Sequence, residues 1–205
     1  MDYEMKYELI PSDREGFYRV KALRDFNDVK KGDIGGYIQS ENNLSQLDDC
    51  WIYDDAKVYD NAQVCNNARV YDNAQVCNNA RVYDNAKVYG NARVCDDAIV
   101  RDDARVFVNA QIYDNAVVVG NAKVCDDAKV WGHTVVQDYA VVRGNAVIRG
   151  DVVVRGNAVI RGDVVIAGEV DICGDAIISS DKDYIVFKNW WSSGRYFTWT
   201  RSNNM

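Results

Sequence analysis

The sequence predicts an all-β protein, a three-sided parallel solenoid in which each coil takes 18 residues. Three observations predict it. A small residue, usually alanine, recurs at every sixth position from Leu44 through Cys50, Ala56 and Ala62 to Ala176, giving 23 hexads without insertion or deletion. Two places after each small residue stands an aliphatic one, from Ile52, Val58 and Val64 onward to Ile166, Ile172 and Ile178, with Gln46 the one exception. The two positions that close each hexad are mostly Asp, Asn or Gly. A fixed short period of this kind marks a repeat architecture.

The period of six has a simple physical reading. Side chains alternate along a strand, so in Ala-x-Val-Tyr the Ala and Val point inward while x and Tyr point outward. Asp, Asn and Gly tolerate left-handed backbone, so the next two residues make a corner. A four-residue strand and a two-residue corner form one side, three sides close a coil, and equivalent residues then stack about 4.8 Å apart. The repeats fill between seven and eight coils, a prism about 37 Å long on that spacing.

Residues 1–43 lack the repeat. Lys6 to Ile10 and Phe17 to Leu23 read as strands around Pro11-Ser12-Asp13-Arg14-Glu15-Gly16, a hairpin. Gly32 and Gly35-Gly36 read as turns leading into the first coil. A solenoid end exposes apolar side chains and open strand edges, so this segment is expected to cap it.

Within residues 44–178 the outward columns differ from side to side. One side carries Trp51, Arg69, Lys87, Arg105 and Lys123 beside Tyr53, Tyr71, Tyr89 and Phe107. Aromatics beside cations can hold bases and phosphates, although such stacks also stabilise a sheet by themselves. The expected binding residues are therefore Tyr53, Arg69, Tyr71, Lys87, Tyr89, Arg105, Phe107 and Lys123. Elsewhere Ile99, Val117, Val119, Val135, Val141, Val147, Val153, Val159 and Val165 point outward, with Arg143, Arg149, Arg155 and Arg161 opposite the later ones. Contiguous outward aliphatics mark an interface, so self-association into a homotrimer or homodimer is expected across these nine residues.

The corners stack acids such as Asp84 on Asp102 and Asp96 on Asp114, which reads as turn chemistry; no metal is expected, since the corners point outward singly. All six cysteines lie in the repeats, without metal-ligand spacing. Cys77 and Cys95 differ by 18 and stack, yet a reducing cytosol and parallel side chains speak against a bond. Residues 179–205 leave the repeat. Tyr184 to Phe187 and Arg195 to Thr200 read as an aromatic hairpin around Trp190-Trp191-Ser192-Ser193-Gly194, a second cap or an exposed partner site.

The 205 residues are 48% hydrophobic and suit one continuous core. A net charge of −7 argues against a nucleic-acid coat, and no duplex DNA partner is expected. With charged first residues and no long apolar run, no membrane span or leader is expected, and a cytoplasmic protein is.

The register aliphatic-x-x-Asn-small-x resembles the hexapeptide-repeat superfamily over about two thirds of the chain. The resemblance implies a left-handed parallel β-helix, a trimer and a relation to acyltransferases. Left-handedness rests on it alone, since parallel crossovers are ordinarily right-handed. More narrowly, Asp25-Phe26-Asn27-Asp28-Val29-Lys30-Lys31-Gly32-Asp33-Ile34-Gly35-Gly36-Tyr37-Ile38 and Asp183-Tyr184-Ile185-Val186-Phe187-Lys188-Asn189 are similar to the flanks of YdcK-like β-helix proteins of bacteria and phages. Those relatives continue beyond Arg201-Ser202-Asn203-Asn204 into a helical tail, which this sequence is expected to lack. An accessory or counter-defence role follows from the same resemblance.

Acyltransferases of that superfamily use a histidine base beside a loop thrown out from the coils. His133 is the only histidine, with Tyr139 one hexad later. No loop interrupts the repeats, and His133 fills an ordinary corner slot. Three histidine ligands, as the related zinc enzymes need, are absent. The sequence therefore favours a non-enzymatic, self-associating scaffold without cofactor, engaging an unidentified protein or an anionic small molecule. The alternative is an acetyl-coenzyme A-dependent transferase built on His133 and Tyr139.

Overall fold

Each hexad folds into one short parallel rung, and rungs 18 residues apart pair with each other. The computed structural model describes residues 4–188 and 196–200. Lys57–Val58 pairs with Gln75–Val76, Gln63–Val64 with Arg81–Val82, and Arg69–Val70 with Lys87–Val88. The result is an all-β solenoid of parallel stacked coils with three faces. Two faces join in a 15-stranded sheet and the third is an 8-stranded sheet.

Most rungs are two residues long, shorter than the four that the alternation predicted. The corner is the reason. Ala56 N–H donates to the Tyr53 carbonyl at 3.1 Å, with Asp54 at φ 51° between them. This turn absorbs the Ala and Tyr of each hexad, although Tyr53 N–H still reaches the next coil at Val70. Strands run through a corner only at Val147–Val154 and Val165–Ile172, where Gly150 and Gly168 adopt φ 94° and 98°. There the corner positions of successive coils pair, Gly150 with Gly168, and two faces merge into one sheet.

The inward columns are sealed: Ala56 through Ala158 and Val58 through Ile178 are essentially without exposure. Burying one valine side chain contributes about 1.5 kcal/mol or more. Thr134 takes an alanine slot and donates its hydroxyl to the Trp131 carbonyl at 2.7 Å. The acidic corners form the stacks that turn chemistry predicted. Asp84 and Asp96 accept the backbone N–H of Asp102 and Asp114 one coil on, at 3.4 and 3.2 Å.

The N-terminal segment departs most from expectation. Strands β1 (Tyr7–Pro11), β2 (Tyr18–Ala22) and β3 (Ile34–Ile38) form an antiparallel set, and β3 pairs in parallel with Lys57–Val58. Gly35 and Gly36 are therefore strand residues and not turns. A Cβ on Gly35 would lie 2.6 Å from Val20 and 2.8 Å from the Trp51 ring, so only glycine fits there. Trp51, expected to face outward, is 1% exposed. The cap covers it, with Phe26 and Tyr7 edge-on at 5.3 and 6.2 Å. Lys6 is wholly buried, its Nζ donating to the carbonyls of Cys50 at 3.0 Å and Leu47 at 3.2 Å, with Cys50 Sγ at 3.2 Å. Burial lowers the Lys6 pKa below its ordinary value and raises that of the Cys50 thiol. A 3-10 turn, Glu41–Asn43, then leads into the first coil.

Cys77 and Cys95 form a disulfide, contrary to the expectation of free thiols. In-register stacking sets their Cα atoms 4.7 Å apart, within the range a disulfide spans, so parallel side chains are no obstacle. At the far end Tyr184–Lys188 and Tyr196–Thr200 pair antiparallel, as the aromatic hairpin predicted. Its Trp190-Trp191 turn and the Arg201-Asn204 segment lie outside the described residues. Among the described residues no helix is long and apolar enough to cross a membrane.

Candidate functional site

The 8-stranded face carries the expected cations in one column. Arg69, Lys87, Arg105 and Lys123 pair rung to rung, and Val141 continues the column. Like charges stacked at strand spacing repel by about 1 kcal/mol per neighbouring pair even in water. Arg69 is relieved by Asp28 of the cap at 3.4 Å. Among the described residues, Lys87, Arg105 and Lys123 form no such ion pair, and Arg105 and Lys123 are exposed.

A groove of about 390 Å³ runs along this column. Arg69, Lys87 and Arg105 make one wall; Asp49, Asn67, Asn85 and Asp103 make the other, and Asn27 closes one end. The second wall is the neighbouring corner column, knitted by the Asn67 amide donating to Asn85 at 3.3 Å. Sequence reasoning missed this wall, although extending the 18-residue register to the corner positions finds it. Asn27 and the cap were not legible in that way, because they lie outside the repeat.

The aromatic ladder flanks the cations on the other side and does not line the groove. Tyr71, Tyr89 and Phe107 stack face to face, with centroids 4.9 Å apart and planes 5° apart. Tyr53 meets Tyr71 edge-on at 6.1 Å and donates its hydroxyl to Asp28 at 2.9 Å. Burial raises the phenol pKa values of Tyr53, Tyr71 and Tyr89, so all three stay neutral donors. Tyr71, Tyr89 and Phe107 use their facing sides on one another, so base stacking, which the sequence suggested, has no free face between them.

The outward aliphatics divide among three faces and do not form one strip. Ile99, Val117, Val135 and Val153 share one face, Val147 and Val165 the second, and Val141 and Val159 the third. Most are half-buried by their ladder neighbours, Val165 is 46% exposed, and Val119 is already 9% exposed within the chain. Val119 thus has little area left for a partner.

His133 and Tyr139 are both exposed, Tyr139 to 64%. They stand on different edges of the prism. His133 continues the corner column of Asn61, Asn79 and Asp97, whereas Tyr139 continues that of Asn67 and Asn85. The pairing expected for an acyl-transfer site is therefore not assembled, and neither residue lines the groove. Among the described residues no three His, Cys, Asp or Glu side chains converge to hold a metal.

The YdcK β-solenoid repeat model matches residues 62–78, 74–90 and 110–126. A protein of Escherichia coli K12 described as the uncharacterized acetyltransferase YdcK is 42% identical over 52 residues, 25% of this chain and 16% of the relative. The match therefore spans less than a fifth of that relative's length. The first two repeat matches carry the upper coils of the groove, Arg69 and Lys87 included. With stacked parallel coils, hexad register and repeat matches in agreement, the chain is a β-solenoid whose repeats are similar to those of YdcK.

Proposed function

We propose that this chain is a non-enzymatic, self-associating scaffold that holds an elongated anionic partner along the Arg69-Lys87-Arg105 groove. One observation carries the reading: three in-register cations line a groove, and among the described residues only Arg69 of the three has an ion-pair partner. A bound anion relieves their mutual repulsion, and the rigid rungs keep the charges preorganised. Double replacement by Arg69→Glu and Arg105→Glu is expected to weaken binding of fluorescein-labelled poly-glutamate about tenfold or more. The wild-type affinity should fall as salt rises. Affinity that survives both changes unaltered would reduce this face to scaffold.

Self-association rests on Val117, Val135 and Val153, the longest outward stack on one face. Each valine is already half-buried, so covering the rest adds about half of the roughly 1.5 kcal/mol that full burial contributes. Val135→Lys with Val153→Lys is expected to convert the assembly to monomer, read by light scattering at micromolar concentration. A monomeric wild type would refute it.

The name of the E. coli relative favours a second reading, acetyl transfer from acetyl-coenzyme A with exposed His133 as general base and Tyr139 beside the acceptor. Their separation on two edges weighs against it. Saturable acetyl-coenzyme A binding that His133→Ala removes would reverse the order of the two.

A further inference from the structure

Val108 occupies a left-handed corner with φ 64°, the conformation that every other described non-glycine residue of positive φ fills with Asp or Asn. A β-branched side chain is strained there. Valine also forgoes the corner bond made elsewhere in its column. Asp72 accepts from Gly90 N–H at 2.9 Å and Asp126 from Gly144 N–H at 3.0 Å. The core gains nothing in return, because Val108 is 42% exposed. A strained residue without an internal role points to one outside the chain.

Its neighbours indicate what lies there. Phe107, the residue before it, ends the Tyr71-Tyr89-Phe107 ladder, and Arg105 and Lys123 stand exposed on the same face. We propose that this face docks an acidic amphipathic helix of a partner protein. Its carboxylates lie along Lys87, Arg105 and Lys123, and an apolar side chain rests on Phe107 and Val108. The inference rests on the anionic-partner reading and specifies its chemistry.

Spacing supports a helix over other anionic chains. The cations repeat at about 4.8 Å along the solenoid axis. Carboxylates at i, i+4 and i+7 of a helix repeat at about 5.4 Å, within side-chain reach of each rung. Alternate residues of an extended peptide are about 6.7 Å apart and fall out of step within three rungs. A nucleic acid fits less well. The facing rings of Tyr71 and Tyr89 stack on each other, and no base can enter between them.

The probes are two labelled helical peptides with Glu at i, i+4, i+7 and i+11, one with leucines beside the acids and one with alanines, and an oligodeoxythymidylate. Val108→Asn suits the corner, so its melting temperature should match or exceed the wild type's. It is expected to weaken the leucine peptide about fivefold while leaving the alanine peptide unchanged. Lys87→Glu with Arg105→Glu should weaken both peptides. If Val108→Asn binds the leucine peptide like wild type while charge reversal still acts, the inference fails and the anionic-partner reading stands. Tighter binding of the oligonucleotide than of either peptide overturns the helix in favour of nucleic acid. Binding indifferent to charge reversal removes both readings.

Discussion

Asn43→Leu is expected to destabilise the protein by about 3 kcal/mol, although the two side chains are close in size. Asn43 has no exposure. Its amide donates to the carbonyls of Asp60 and Ala62 at 2.9 Å each, and its oxygen accepts the N–H of Gln39 and Ser40 at 3.1 and 3.0 Å. Leucine leaves all four backbone groups without that partner, the Ala62 carbonyl in a buried site and the other three in part-buried ones, at about 1–3 kcal/mol for each that water does not reach. A repeat contacts only its neighbours, so the loss falls first on the cap and the opening coil. Calorimetry should show a lower melting temperature, with residues 4–43 cleaved first in limited proteolysis. Asn73→Leu, at an exposed corner, is the control and should shift stability by less than about 0.5 kcal/mol. Equal melting of the two variants would remove Asn43 from its role as the joint between cap and solenoid.

Gly35→Val should have a comparable effect, about 3 kcal/mol, by overpacking. The added side chain meets the Ile52 carbonyl, Val20 and the Trp51 ring, and backbone cannot retreat without unpairing β3 from the first coil. Trp51 then loses its cover of Tyr7 and Phe26. The expected signature is loss of near-ultraviolet dichroism together with a lower melting temperature, and Trp51→Phe identifies the part due to this ring. Gly16→Val, where an added Cβ meets nothing within 4 Å, still suffers its φ of 77° and separates backbone strain from crowding. A Gly35→Val protein that melts like wild type would show that β3 does not seal the end.

Both variants lie in the segment that the sequence described least well. Lys6 read as the first residue of a strand, yet it is a buried cation clamped by Leu47 and Cys50 more than forty positions away. Trp51 belonged by register to an outward column, and only the overlying cap turned it into core. Gly35 and Gly36 resemble turn residues in any local reading; their need for glycine comes from the first coil packed against them. Val108 stands in sequence where other corners carry Asp, Asn or Gly, but only its dihedral shows that the backbone there is left-handed.

The sequence by itself determined the prism. Every sixth-residue alanine and valine, the Asp and Asn corners, the 18-residue register of Arg69, Lys87 and Arg105 and the stacking of Cys77 on Cys95 all follow from it. In a solenoid each contact joins residues a fixed number apart, so periodicity along the chain is already a map of contacts in space. The tertiary structure alone decided what breaks that period. It placed Asn27 at the end of the groove, covered Trp51, and turned the ring faces of Tyr71 and Tyr89 toward each other. Contacts of the cap join residues at no fixed interval, and ring orientation and groove shape depend on side-chain torsions that hydrophobic pattern does not encode.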